Sequence, residues 1–149
     1  MIAEVPIDRG HLVSTVDVLP TICDYAGVQA PPRMCGQSLR TVIERPDTPG
    51  HEFVVSEIAG GTGAKGRSFM VQTKRYKYMT FPVADGLEML FDLQSDPGEV
   101  KNLAAEAALK GELERHRQLL AQWKTATEEE KYRVPEAKQG GRKAKRLRR

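Results

Sequence analysis

Two periods divide the chain. Up to about residue 45 the apolar positions recur at helical spacing, and from Glu52 they alternate. In "STVDVLPTICDYAG" (14–27), Leu19, Ile22, Cys23 and Ala26 share one face of a helix predicted from about Val18 to Ala26. Asp17 is predicted as its N-cap. Pro20 falls in the first turn, where a missing N–H costs nothing. Gly27 suits the left-handed position that ends a helix. "VQAPPRMCGQ" reads as loop. "SLRTVIE" (38–44) predicts a short second helix capped by Ser38. "RPDTPGH" (45–51) reads as a linker from its two prolines and glycine.

The alternating half predicts four strands: "EFVVSEI" (52–58), "RSFMVQT" (67–73), "YKYMTF" (76–81) and "LEMLFDL" (87–93). In the last of these, Leu87, Met89, Phe91 and Leu93 share one face, and Glu88, Leu90 and Asp92 share the other. The connections are "GGTGAKG" (60–66), Lys74-Arg75 and "PVADG" (82–86), and short connections imply an antiparallel sheet. Asp96-Pro97-Gly98-Glu99 predicts a type II turn, with Pro97 presetting φ and Gly98 taking a positive φ. A helix over about 105–125 carries Leu109, Leu113, His116, Leu120 and Trp123 as one stripe to lay on the apolar face of the sheet. The fold class expected is α+β: a small antiparallel four-stranded sheet with a packed C-terminal helix.

This pattern divides the chain unevenly. Residues 52–127 read as a complete small domain and 46–51 as a linker. Residues 1–45 read as the incomplete end of something larger, because a nine-residue helix is unstable alone and its apolar face needs a partner layer. Residues 12–45 are therefore expected to be mobile or aggregation-prone in isolation. Residues 128–149 read as a disordered basic tail.

Charge sharpens that last point. The 149 residues carry a net charge of +3, but 138–149 hold seven Lys/Arg and no acid, leaving 16 basic and 20 acidic residues elsewhere. Such a tail binds polyanions or simply solubilises the chain. Nucleic acid is disfavoured, because aromatics make up only 6% of the chain and no recognised module precedes the tail. No apolar run is long enough to span a bilayer, and no signal-peptide pattern stands at Met1. Hydrophobic content of 40% and charged content of 29% fit a soluble protein. Cys23 and Cys35 have neither zinc-ligand nor Cys-x-x-Cys spacing; they read as two free thiols or as one disulfide.

Candidate chemistry is sparse. Asp92, Asp96 and Glu99 lie within eight positions, as in a metal site, but the spacing is not that of an EF-hand, and turn chemistry accounts for the residues. His11, His51 and His116 stand in no nucleophile pattern and read structurally: surface or hinge, linker, and helix stripe. Arg67, Lys74, Arg75 and Lys77 cluster around the second hairpin. They read either as contacts for a substrate anion or as solvated, edge-protecting charge.

Four segments in order resemble the last part of sulfatases: "VSTVDVLPTICDYAGV", "MCGQSL", "RSFMVQTKRYKYMTF" and "EMLFDLQSDPGEVKNLA". The nearest likeness is to the branch that includes N-sulfoglucosamine sulfohydrolase and bacterial polysaccharide sulfatases. The resemblance implies that the small domain is preceded by the end of an alkaline-phosphatase-like α/β domain. It also implies hydrolysis of sulfate esters or N-sulfates of sugars, by a formylglycine nucleophile with calcium gathering the sulfate oxygens. The formylglycine motif, Cys/Ser-x-Pro/Ala-x-Arg, is absent: Cys23 precedes Asp-Tyr-Ala, and after Cys35 the proline position holds Gln37. No catalytic or metal residue is therefore assigned, and neither calcium nor formylglycine is expected in this chain. The expected partner is the N-terminal catalytic region of a parent enzyme, without which the chain is inert. A sulfated glycan is the second candidate partner, and no membrane is expected. Family members are often exported or periplasmic. The alternative is a non-catalytic interaction module that binds an acidic partner or sulfated glycan through the sheet domain and tail.

Overall fold

A computed structural model describes residues 8, 10–32, 34–59, 66–82 and 86–129. The glycine loop over 60–65, the turn residues 83–85 and the tail from 130 onward lie outside the described residues. A 3-10 turn over Thr15–Asp17 runs directly into α1 (Val18–Ala26), followed by α2 (Arg40–Glu44). Strands β1 (Val54–Ala59), β2 (Arg67–Gln72), β3 (Tyr76–Phe81) and β4 (Leu87–Asp92) form one antiparallel sheet in the order β1-β2-β3-β4. A second 3-10 turn (Ala107–Leu109) leads into α3 (Lys110–Glu129). Among the described residues, no helix is long and apolar enough to cross a membrane.

The limits of α1 are those predicted. Pro20 sits in its first turn, and Gly27 closes it at φ 67°, donating its N–H to the Asp24 carbonyl while Val28 donates to that of Cys23. The predicted caps differ. Asp17 makes no side-chain cap to α1, because its own backbone is already helical and its carboxylate is engaged elsewhere. Ser38 lies one residue before the N-cap of α2, which is Leu39. From there its hydroxyl accepts the Arg40 N–H at 3.2 Å and donates to Asp24 at 2.6 Å. Helix α3 starts five residues later than predicted, because Glu106 is extended and Ala107–Leu109 wind as a 3-10 turn. It also runs four residues further, so residues 128–129 belong to the helix. Both thiols are free, Cys23 buried and Cys35 exposed.

The core lies between α3 and one face of the sheet. Strand register lines up Val55, Val71, Tyr78 and Leu90 in one row, and Leu113, Leu119 and Leu120 of α3 pack on it. Val71 and Leu90 are fully buried. This inverts the expectation for β4. The helix covers the face of Glu88, Leu90 and Asp92, not the richer apolar face of Leu87, Met89 and Phe91. Register decides, because Leu90 stands opposite Tyr78 and Tyr78 opposite Val71. Glu88 tolerates this face by accepting from the Tyr78 hydroxyl and from the Arg117 guanidinium at the rim. Burial, and next the Glu88 contact, push the Tyr78 phenol up to about 12.

The Asp-Pro-Gly-Glu corner also departs from expectation. Glu99 N–H bonds to the Asp96 carbonyl at 3.0 Å, so the turn forms, but the positive φ (54°) belongs to Glu99 and not to Gly98. This is not a type II turn. The strained residue is the one whose carboxylate reaches Lys77 Nζ at 2.6 Å. Beyond the corner the chain returns along β4. The Leu90 N–H donates to Asn102 Oδ1 at 3.0 Å, Leu103 N–H donates to the Leu90 carbonyl at 2.8 Å, and Asn102 Nδ2 donates to the Glu88 carbonyl at 3.2 Å. Asn102 thus stands in for a fifth strand at this edge.

Candidate anion-binding cleft

The β2–β3 turn, Thr73 to Tyr76, is tied at its base. Thr73 N–H donates to the Tyr76 carbonyl at 2.9 Å, and Tyr76 N–H donates back to Thr73 Oγ1 at 3.1 Å. His116 anchors the turn to α3. Its ring is fully buried, with Nδ1 on the Glu112 carbonyl at 2.9 Å and Nε2 on Thr73 Oγ1 at 3.3 Å. A residue read from its place on the helix stripe therefore also positions the turn.

The turn forms one wall of a cleft of about 370 Å³. Lys74, Arg75 and Tyr76 supply that wall, Glu112 and Arg115 of α3 the second, and His51 and Glu52 the third. Arg75 grips Asp92 with a fork, Nε to Oδ1 at 3.1 Å and Nη2 to Oδ2 at 2.8 Å, and lies over the Tyr76 ring at 4.9 Å. The Arg75 bonds, and next the Gln94 N–H, hold the Asp92 carboxyl down at about 2. Arg115 joins Glu52 (3.2 Å) to Glu112 (3.1 Å), which lashes the approach to β1 onto the helix. Among the described residues, no carboxylate lies within ion-pair distance of Lys74.

The four sequence-selected cations do not converge. Only Lys74 and Arg75 line the cleft. Arg67 sits at the other end of β2 and pairs with Glu57 at 2.8 Å. Lys77, on the sheet face opposite Tyr76 and Tyr78, pairs with Glu99. The sequence reading passed over Arg115, because nothing in a helix sequence marks which exposed arginine meets a turn some 40 residues away.

It also missed Asp17, which is fully buried. Its Oδ1 accepts the Gln37 N–H at 3.0 Å, and its Oδ2 accepts the Ser14 N–H at 2.8 Å and a bond from His51 Nε2 at 2.9 Å. Three separate segments meet on this one carboxylate. Gly36, beside Gln37, permits the approach: a Cβ there would lie 2.0 Å from the Val16 carbonyl oxygen. His11 makes a parallel tie, with Nδ1 on Asp8 and Nε2 on the Thr48 carbonyl at 2.8 Å. Both ring nitrogens face acceptors, so the imidazolium satisfies both. The Thr48 carbonyl, and next Asp8, raise its pKa.

The carboxylates of the corner diverge. Asp92 faces Arg75, Asp96 accepts the Lys101 N–H, and Glu99 faces Lys77. Among the described residues, no three His, Cys, Asp or Glu side chains stand together as a metal site.

Comparison with known proteins places this geometry. The chain is 36% identical over 129 residues to a Delta 4,5-hexuronate-2-O-sulfatase of Bacteroides thetaiotaomicron, covering 84% of this chain and 26% of that protein. It is 35% identical over 105 residues to mouse arylsulfatase K, covering 64% of this chain and 18% of that one. Among solved structures, that of a 2-O GAG sulfatase superposes with a TM-score of 0.67 at 36% identity, over 76% of this chain and 25% of that one. The chain thus spans about a quarter or less of the relatives it matches, and its sulfatase neighbours have the alkaline-phosphatase-like fold. Residues 4–126 match the family described as N-sulphoglucosamine sulphohydrolase, C-terminal, and the chain belongs to that sulfatase family.

Proposed function

We propose that this chain serves as the C-terminal part of a hydrolase acting on sulfate groups of sugars. In this role it closes one side of the substrate cleft and supplies no chemistry of its own. The observation that carries this reading is the extent of the family match, which spans residues 4–126 and so takes in α1, the sheet and most of α3. Two features support it. The carboxylates of the corner are committed to cations and backbone N–H groups, which leaves the holding of a calcium ion to the remainder of such an enzyme. The outward side of α1 is apolar and open: Val18, Leu19, Ile22 and Tyr25 are each at least half exposed, Ile22 at 58%. A larger α/β layer is the natural cover for such a patch. Lys74 and Arg75 are then the contacts to a substrate anion. Arg67 and Lys77 lie away from the cleft lining and are not part of this proposal.

The test is direct. The 149-residue chain, incubated with an aryl sulfate and calcium, is expected to give no turnover above blank, and metal-dependent turnover would overturn the reading. A second reading, in which the seven cations of 138–149 bind a sulfated glycan without catalysis, predicts salt-sensitive retention on heparin. That retention should be lost when those cations are replaced by serine.

A further inference from the structure

The linker histidine His51 has a feature that its position in the sequence does not announce. Its Nε2 bonds to Asp17, a fully buried carboxylate that already accepts two backbone N–H groups. A carboxylate only accepts, so Nε2 carries a proton. Nδ1 has no hydrogen-bond partner among the described residues, and no buried side-chain nitrogen or oxygen there lacks one. Nδ1 is therefore not fully buried, in a side chain that is 20% exposed and lines the cleft. The ring is fixed by a carboxylate behind it and presents its other nitrogen outward.

We propose that His51, oriented by Asp17, is a proton-gated contact for an anionic group of a sugar bound in the cleft. The neutral ring offers a lone pair at Nδ1, which suits a sugar hydroxyl. A second proton turns the same atom into a charged N–H donor, which suits a sulfate or carboxylate. The surroundings make that proton decisive, because carboxylates outnumber cations by one around the neutral ring. Asp17 (from the first 3-10 turn), Glu52 (beside β1), Glu112 (on α3) and Asp92 (behind Arg75) stand against Lys74, Arg75 and Arg115, and a proton on His51 cancels the excess. Arg75 is held by Asp92, and Arg115 by both glutamates. That leaves Lys74, the Nη1 donors of Arg75 and the Nδ1–H of a protonated His51 to draw an anion. Asp17 is a positioning residue: it sets the ring's tautomer and angle and does not touch the ligand. This inference rests on the reading of Lys74 and Arg75 as anion contacts.

The experiment uses the ¹⁵N-labelled 149-residue chain, with a heparin disaccharide as probe, titrated at pH 5.5 and pH 8. Ring-nitrogen shifts of His51 and the amides of Thr73–Tyr76 should move together. Affinity should be about tenfold weaker at pH 8, the difference between a charge-assisted and a neutral hydrogen bond. In His51→Gln, which can still donate to Asp17 but cannot titrate, the pH difference should vanish. In Asp17→Asn the ring should lose its single-tautomer signature. An unchanged pH difference in His51→Gln would overturn the gating role while leaving the Lys74–Arg75 contact in place. Equal affinity of Lys74→Ala and the parent chain at both pH values would overturn both. A probe that leaves these residues unmoved at either pH would do the same.

Discussion

The two ends of this molecule are held together by opposite means. From Phe53 to Trp123, β1–β4 and α3 enclose an apolar core, and their polar bonds lie mostly at its rim. Between His11 and Glu44 the reverse holds. The interior of that segment is a carboxylate, Asp17, with Thr21, Ser38 and Arg40 bonding α1 to α2 and to the loop before it, while most of the large apolar side chains face outward. Hydrophobic burial is non-directional and can close a domain unaided. Hydrogen bonds give position but little net stability. The first region therefore holds a shape, and the second holds an orientation.

The largest expected effect lies in the apolar region. Leu90→Ala removes a fully buried side chain at the β4 end of the row and should cost about 2–5 kcal/mol. Urea unfolding followed by Trp123 fluorescence measures it, and a loss well under 1 kcal/mol would mean that the sheet–helix contact is not the stabilising core. Asp17→Ala leaves three donors without their acceptor, at about 1–3 kcal/mol. Hydrogen exchange should speed up across 14–38 and stay slow in β2, β3 and β4. Equal loss in both regions would erase the distinction drawn above. Tyr78→Phe removes the bond to Glu88 and should cost about 0.5–1.5 kcal/mol without altering exchange in α1.

The smallest effects separate the regions by pH. Asp92 has its folded pKa lowered to about 2 from 3.8, so the Arg75–Asp92 contribution is complete above pH 3.8 and is lost as pH falls toward 2. His11 has its folded pKa raised above 6.5. Its tie to Thr48 is complete below pH 6.5 and is lost as pH climbs through the raised value. Acid should loosen the β2–β3 turn first, and alkali the linker. Amide exchange at Thr73–Tyr76 and at Thr48–His51, compared from pH 3 to 9, reads both; identical profiles would refute the division.

Local grammar was legible in the sequence. Pro20 and Gly27 bracket α1 at the residues predicted, and "YKYMTF" is β3 end to end. What was not legible depends on partners distant in the chain. Asp17 has the sequence position of an N-cap, and only Gln37 and His51 make it a hub. The β4 sequence favours the face of Leu87, Met89 and Phe91, whereas the register with Tyr78 turns Leu90 to the helix. Glu99 takes the positive φ expected of Gly98, and its carboxylate meets Lys77, 22 residues back in the chain. Within the cleft, Lys74 and Arg75 could be chosen from their neighbours in sequence, and Arg115 could not.

The return of the chain past β4 has one more consequence. A sheet with two bare edges can grow without limit, each added copy offering a fresh edge to the next. Here Asn102 and Leu103 occupy the outward groups of Glu88 and Leu90, so the β4 edge offers no free pair at these residues. A strand of another molecule therefore finds these Glu88 and Leu90 groups already bonded. The segment past the turn that was first read for its carboxylates spends its amides on closing this edge.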